Sequence, residues 1–349
     1  MDRYYVLEPG TYVRKSGENL LIMKGREVRG SIPLAGLDQL VLVGASMSGA
    51  VLSELARRRV ETVLLSPWGR FRGRLIVDEH KHVARRKAQY LRLSDRAEAA
   101  RIAGLLVAAK LRNAARFLQR RGTQYGDESL NQAAAHLQGL AELARSQKDL
   151  ELIRGIEGRG ANRYFSVFGR LIRVEGFPFH GRSRRPPLDA VNALLSFVYT
   201  LLTNEVLTAV KIAGLDPYLG TLHAEEYGRP SLACDLVEEW RTYLGDRLVL
   251  TLINRRVIRP DDFVYRPVEN PDGVDEAELR AKRPVEMKPR IARAFIDAYE
   301  RWMETPTTCP FTGAGTSYRG ILRSQARRFL KFLMGDEPDY QPFPWPRIG

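Results

Sequence analysis

Up to residue 77 the apolar positions fall in short alternating runs, and from residue 84 onward they recur at three- and four-residue spacing. Runs at 4–7, 12–14, 20–23, 26–30, 39–43, 62–65 and 71–77 predict strands, with Ser16-Gly17-Glu18 as a hairpin turn between the second and third. Residues 47–59 have helical spacing and end in Arg57-Arg58-Arg59. Past a hinge at 79–83, the spacing predicts helices over 84–121, 130–145, 188–213, 288–304 and 318–334, with a further helical stretch entered through 147–152. Ile102, Leu105, Leu106, Ala109, Leu111 and Phe117 form the buried side of the first of these. Residues 260–285, broken by Pro260, Pro267, Pro271 and Pro284, predict a loop. The fold class that follows is α+β: an N-terminal β-rich domain at 1–78 and a larger all-α domain at 84–349.

Residues 220–241, GTLHAEEYGRPSLACDLVEEWR, hold the densest candidate chemistry. His223 precedes Asp235 and Glu238, and Ser231 stands where it would cap the helix that follows. On a helical wheel Leu232, Leu236, Trp240 and Tyr243 share one side, and Asp235, Glu238 and Thr242 the other. A loop histidine with two carboxylates one turn apart makes a hard-cation site of mixed N and O ligands. The same pattern also describes an ordinary amphipathic helix with a solvated acidic face. Upstream, Gly155, Gly158 and Gly160 surround Glu157. Each glycine inside a helix costs about 1 kcal/mol relative to alanine. The run therefore means either close approach of a backbone or of DNA beside the carboxylate, or a loop with a solvated Glu. His80 and His82 lie close together but lack carboxylate or thiol partners of metal-site type and read as linker residues; His180 reads as a packed or solvent-facing loop residue.

Charge changes the picture more than overall composition does. The net charge is +14, and it is unevenly placed. Residues 84–122 carry 11 Lys/Arg against 2 acids, 153–185 carry 8 against 2, and 280–334 carry 12 against 4, whereas 216–239 carry 6 acids and only Arg229. Basic blocks around an acidic island suit an enzyme that cuts or joins phosphodiesters: carboxylates collect a cation while Arg and Lys hold the polyanion. The two cysteines, Cys234 and Cys309, have no pairing pattern and fit a reducing compartment. The N-terminus lacks an apolar signal segment, and the apolar run at 188–210 is interrupted by Asp189, Asn192 and Glu205. A buried core helix, no membrane contact and a cytoplasmic location are the expectations.

The order of these stretches resembles the CRISPR adaptation integrase family, the larger of the two proteins that insert new spacers into CRISPR arrays. The residues that carry the likeness are 155–165 around Glu157, then Arg185-Pro186-Pro187-Leu188-Asp189-Ala190-Val191-Asn192, then Gly214-Leu215-Asp216-Pro217, then Gly220 to His223, and Gly228-Arg229 leading into 231–241. The resemblance implies a catalytic, metal-binding triad at Glu157, His223 and Glu238, with Asp235 as a supporting or alternative ligand, and Mg²⁺ or Mn²⁺ as the cation. DNA contacts are expected from Arg159, Arg163, Arg182, Arg184, Arg185 and Arg229. The partners that the resemblance implies are double-stranded DNA (prespacer and CRISPR repeat), a second copy forming a homodimer, a small ferredoxin-like CRISPR subunit bridging two dimers, and a RecB-like nuclease. The implied reaction is transesterification by a 3′-hydroxyl at a repeat border, with associated endonuclease activity. Two other readings stand beside it: a metal-dependent DNA repair nuclease, and a non-catalytic basic scaffold for branched DNA.

Overall fold

A computed structural model describes residues 2–66, 71–75, 82–184, 186–223, 228–265 and 285–343. The chain divides into two compact units, one of residues 1–80 with 286–296, the other of 81–285 with 297–349.

The N-terminal part of the first unit, over the described residues to 75, is built from eight strands and one helix. They are β1 (Asp2–Val6), β2 (Tyr12–Ser16), β3 (Asn19–Lys24), β4 (Glu27–Pro33), β5 (Leu37–Val43), β6 (Ser46–Met47), α1 (Gly49–Arg57), β7 (Glu61–Leu65) and β8 (Phe71–Leu75). Two four-stranded sheets result, in the orders β1-β5-β7-β8 and β4-β3-β2-β6. In the first sheet β5 lies parallel to both β1 and β7, while β7 and β8 are antiparallel. Strand alternation decides which side chains meet. Leu40 and Leu42 of β5 join Val13, Leu20, Ile32, Val51 and Leu55 in the main core, and Val41 and Val43 face the other way with Val63 and Leu65; Leu37 reaches the main core because the register of β5 against β1 shifts between Leu37 and Gln39. The hairpin at 16–19 is as expected, with Ser16 paired to Asn19 and Gly17 at φ 57°.

The second unit is a helical assembly. Residues 84–121 do not make one helix: α2 (Val83–Leu93) and α3 (Arg96–Tyr125) are separated at Ser94-Asp95, and Asp95 caps α3 by accepting from the Glu98 amide. The break follows from local chemistry, because an Asp side chain satisfies an orphan amide better at a cap than within a helix. Asp127, Asp149 and Asp189 similarly start α4 (Glu128–Ser146), α5 (Leu150–Phe168) and α6 (Ala190–Ile212). Then come α7 (Ser231–Val237), a π-helical turn at Arg241–Asp246, and α8 (Arg247–Asn254). Strands β9 (Phe263–Tyr265) and β10 (Val285–Met287) flank the loop predicted at 260–285, most of which lies outside the described residues. The chain continues with α9 (Pro289–Met303), whose residues to 296 are counted with the first unit and the remainder with the second, the paired strands β11 (Pro306–Thr308) and β12 (Gly315–Ser317), and α10 (Tyr318–Met334). α6 is 23 residues long and apolar enough to span a bilayer, yet 67% of its most apolar window is buried inside the protein, as expected of a core helix. The buried Arg319 of α10 pairs with Glu205 of α6 at 3.2 Å and with Glu300 of α9 at 2.7 Å. His82 stands exposed at the start of α2, and His80 lies outside the described residues.

Candidate active site

Four separate pieces of the second unit converge on one acidic position: α3 with Lys110, α5 with Glu157, the segment 220–223 with His223, and α7 with Asp235 and, just past its end, Glu238. Glu157 sits within a continuous helix and not in a loop, with its side chain 26% exposed. Of the glycines around it, Gly155 and Gly158 face open space, and only Gly160 meets a neighbour, the Leu111 side chain of α3. Close approach therefore explains one glycine of the three.

The acidic side of α7 is not solvated. Asp235 is 0% and Glu238 3% exposed. Nor does Ser231 cap the helix. The cap position falls on Pro230, and Ser231 is the first, fully buried helical residue. The wheel reading assumes one regular helix through 243, but α7 ends at Val237. The Glu238 amide turns back to the Asp235 carbonyl at 3.2 Å, and the π-turn re-aims everything after it. Both sides of this segment are consequently inside the protein.

Asp235 is a scaffold for the histidine. Its carboxylate accepts from the amides of Thr221 (2.5 Å), Leu222 (3.0 Å) and His223 (3.0 Å), from the Thr221 hydroxyl (3.2 Å), and pairs with His223 Nδ1 at 2.7 Å. Gly220 makes this wrap possible: a Cβ there would lie 2.6 Å from Asp235 Oδ2 and 2.7 Å from the Ser231 carbonyl carbon. With Nδ1 engaged by the carboxylate, the imidazole turns Nε2 towards Glu238, 4.0 Å from Oε1. Arg154 of α5, one turn before Glu157, donates to the Leu222 carbonyl at 2.7 Å and ties α5 to the histidine segment.

Glu238 is buried between charges. Arg241 lies 3.1 Å from Oε1 and Lys110 Nζ 2.7 Å from Oε2. Burial alone would raise this carboxyl, but Arg241, Lys110 and His223 outweigh it and hold it at about 2. The Lys110 ammonium also donates to Glu157 Oε1, so a single cation bridges the two carboxylates. Although close to Lys110, Glu238 Oε2 has no hydrogen bond of good geometry. Among the described residues no three His, Cys, Asp or Glu side chains already close around one metal position. The donor chemistry nonetheless fits a hard cation: two carboxylates that share a positive charge, one with a buried oxygen short of a hydrogen bond, and an imidazole nitrogen set by its carboxylate partner.

Behind the site, Asp246 accepts from Tyr199 at 2.6 Å and Tyr164 at 2.8 Å. Burial pushes Asp246 up to about 6 against the pull of these two hydroxyls. Glu239 points away from Glu238. It accepts from the Phe343 amide at 2.5 Å and from the Tyr340 hydroxyl, and burial pushes it up to about 7. Phe343 stacks on Trp240 with ring centres 4.1 Å apart.

The predicted arginines are spread over different settings. Arg182 donates to Asn192 Oδ1 at 2.8 Å and to Ser196 Oγ at 3.0 Å, and so fastens the start of α6. Arg184 lines a small cavity with Lys110, Tyr164, Tyr199 and Arg241. Arg159 is exposed, Arg163 and Arg229 are half-buried, and Arg185 lies outside the described residues. His180 is exposed. Sequence reasoning misses Lys110, Arg241 and the Asp246–tyrosine group. Lys110 has a readable signal, a lone charge inside the apolar run LLVAAKL, but it passes there for part of a basic block.

A β-rich unit and a helical unit that gathers Lys110, Glu157, His223 and Glu238 at one position define the class of an α+β protein with a buried His–carboxylate cluster. Residues 4–273 match the family model described as CRISPR associated protein Cas1. CRISPR-associated endonuclease Cas1 1 of Chlorobaculum tepidum is 38% identical over 352 residues, covering 99% of this chain and 98% of its own. CRISPR-associated endonuclease Cas1 3 of Thermus thermophilus is 39% identical over 342 residues, covering 97% and 96%. Among solved structures, a chain of a Cas6-RT-Cas1–Cas2 complex shares the fold with a TM-score of 0.81 at 21% identity. All of the present chain is matched there, and it spans 36% of that longer chain. The chain belongs to the Cas1 family of CRISPR adaptation endonucleases and integrases. Its general function is that of an enzyme of spacer acquisition.

Proposed function

We propose that this chain joins the 3′-hydroxyl ends of short DNA duplexes into a CRISPR repeat by divalent-metal-dependent transesterification, at a site made of Glu157, His223 and Glu238. The observation that carries the reading is the Asp235–His223 pair. It spends Nδ1 and leaves Nε2 facing Glu238, which Lys110 in turn draws onto a shared cation position with Glu157. A bound Mg²⁺ or Mn²⁺ would polarise the scissile phosphate and favour loss of the attacking hydroxyl's proton. Glu157 and Glu238 supply the negative charge that holds the ion, and His223 supplies the nitrogen donor that makes Mn²⁺ as suitable as Mg²⁺. Asp235 orients and does not ligate, since its oxygens are already engaged by residues 221–223. Arg184, beside Lys110 and Arg241 in the small cavity, and Arg159 and Arg163 on the helix that carries Glu157 would hold phosphates. The double-stranded substrate, a second copy of the chain and a small bridging subunit complete the working assembly; the Cas1–Cas2 complex among the fold neighbours supports that arrangement.

Hydrolysis at the same site is the second reading, favoured by the endonuclease names of the relatives. An integration assay with matched 3′-hydroxyl and 3′-blocked duplexes, in Mn²⁺ and in chelator, separates the two. Joined product only from the 3′-hydroxyl duplex and only with metal is expected. Cleavage without joining from both duplexes would replace transfer by hydrolysis.

A further inference from the structure

Lys110 belongs to none of the ligand sets above, yet it is the residue that physically joins Glu157 to Glu238. Around it on its helix, α3, Val107, Ala108, Leu111 and Ala114 are buried, and the one buried polar neighbour, Asn113, is engaged by the Glu239 carbonyl. The side chain is 13% exposed, so it is not a surface lysine that happens to swing inward. Nζ contacts one oxygen of each carboxylate, Oε1 of Glu157 and Oε2 of Glu238, the latter at 2.7 Å. A divalent ion held at about 2.1 Å by those same oxygens would stand within roughly 4 Å of the ammonium. Two cations that close in a partly desolvated setting repel strongly, and the two carboxylates cannot neutralise both.

We infer that Lys110 is a tethered competitor for the metal: its ammonium and the divalent cation take the same carboxylate oxygens in turn. Lys110 keeps the two carboxylates paired and gathered, and so preserves the shape of the site. It also weakens metal binding, because its own pairing must be surrendered before the ion can be held. The flexible four-carbon stem makes this exchange feasible, since a lysine can retract without moving its helix. The space a retracting stem would enter is the small cavity that Lys110 lines together with Tyr164, Tyr199 and Asp246, and with the guanidinium-bearing Arg184 and Arg241. Lys110 therefore sets the metal concentration at which the site loads. This rests on Glu157 and Glu238 being the ligands, and the test is arranged so that the two claims fail separately.

The experiment is calorimetric titration of the purified full chain with MnCl₂ alone, comparing wild type, Lys110→Met and Glu238→Ala. Lys110→Met keeps the length and apolar stem but removes the charge. It is expected to bind Mn²⁺ roughly tenfold more tightly than wild type, because the competing charge is gone. Glu238→Ala is expected to lose binding. If Lys110→Met binds with wild-type or weaker affinity while Glu238→Ala loses binding, the ligand set stands and the competitor role is overturned. If Glu238→Ala binds as wild type does, the ligand set falls and takes the competitor role with it. Should Lys110→Met not fold, wild-type protein answers the same question through reductive methylation mapped by mass spectrometry. Modification of Lys110 is expected to rise several-fold when Mn²⁺ is added, as the ammonium leaves the carboxylates. Unchanged or reduced modification in saturating Mn²⁺ overturns the proposal.

Discussion

Asp235 and Glu238 are three residues apart and both buried, yet their surroundings give them different work. Amides, a hydroxyl and the imidazole of residues 221–223 converge on Asp235, whereas Glu238 meets only cations and the far side of the imidazole. Glu238→Ala should therefore abolish strand transfer at every Mn²⁺ concentration. Asp235→Asn should lose it in part, with roughly 10–100-fold more metal restoring the rate, since second partners of a ligand typically tune affinity by that much. A metal titration showing the reverse would exchange their roles. Glu157→Ala should remove transfer with an unchanged unfolding midpoint, because the side chain serves the site and lies at the edge of the core; joining near the wild-type rate would end the scheme. Asp246 gives a pH signature. Its folded value of about 6 lies above the usual carboxylate range, so the folded state holds the proton more tightly than the unfolded chain. Its contribution to stability is thus greatest in acid and is lost as pH rises from about 4 to about 6. Asp246→Asn should gain on wild type by about 2 kcal/mol between pH 4.5 and pH 7 in denaturant melts. A difference that does not change with pH would mean that Asp246 titrates normally.

At the scale of elements, the site depends on a helix being interrupted. A regular helix from 231 through 243 would have placed Asp235 and Glu238 on one solvated face. Ending α7 at Val237 and inserting the π-turn lets Glu238 reach Lys110 while Glu239 grips the chain at Tyr340 and Phe343. The glycines of the two flanking segments illustrate the contrast between local propensity and close packing. Gly155 lies in α5 facing open space, and Gly155→Ala should stabilise the protein by about 0.5–1 kcal/mol. Gly220 lies against the Asp235 carboxylate and the α7 backbone. Gly220→Ala should cost about 1–3 kcal/mol and lower activity by displacing His223. Chemical denaturation of the two variants side by side checks both signs, and a neutral Gly220→Ala would remove the structural reason for that glycine.

For the molecule as a whole, the net charge of +14 predicts DNA binding that weakens steeply with salt, whatever the sequence of the duplex. The contributors differ in kind. Arg182 is spent on Asn192 and Ser196, so its removal should loosen the start of α6 besides any effect on DNA. Arg159 is exposed on the helix that carries Glu157. Replacing Arg159 and Arg163 by Gln should lower affinity evenly across duplex sequences. The salt slope should become shallower by about 1 for each phosphate the protein no longer neutralises. Fluorescence anisotropy over a salt series measures this, and an unchanged slope would turn that face of α5 away from the DNA.

Several features were legible in the sequence because they arise from neighbours along the chain. Strand alternation, the hairpin at Gly17, helix spacing at 289–303 and 318–334, and the order of the Glu157, His223 and Glu238 segments all reflect local periodicity or short motifs. The break between α2 and α3 was readable too, in the Ser94-Asp95 cap, but helical spacing on both sides concealed it. What periodicity could not carry was everything set by packing between distant segments. That Asp235 would be enclosed by residues 221–223, that the acidic side of α7 would be interior, and that Lys110 would lie between Glu157 and Glu238 depend on residues 12 to 128 positions apart in sequence. A charge in a helical pattern reads the same whether it faces water or a buried carboxylate, and only tertiary packing decides which.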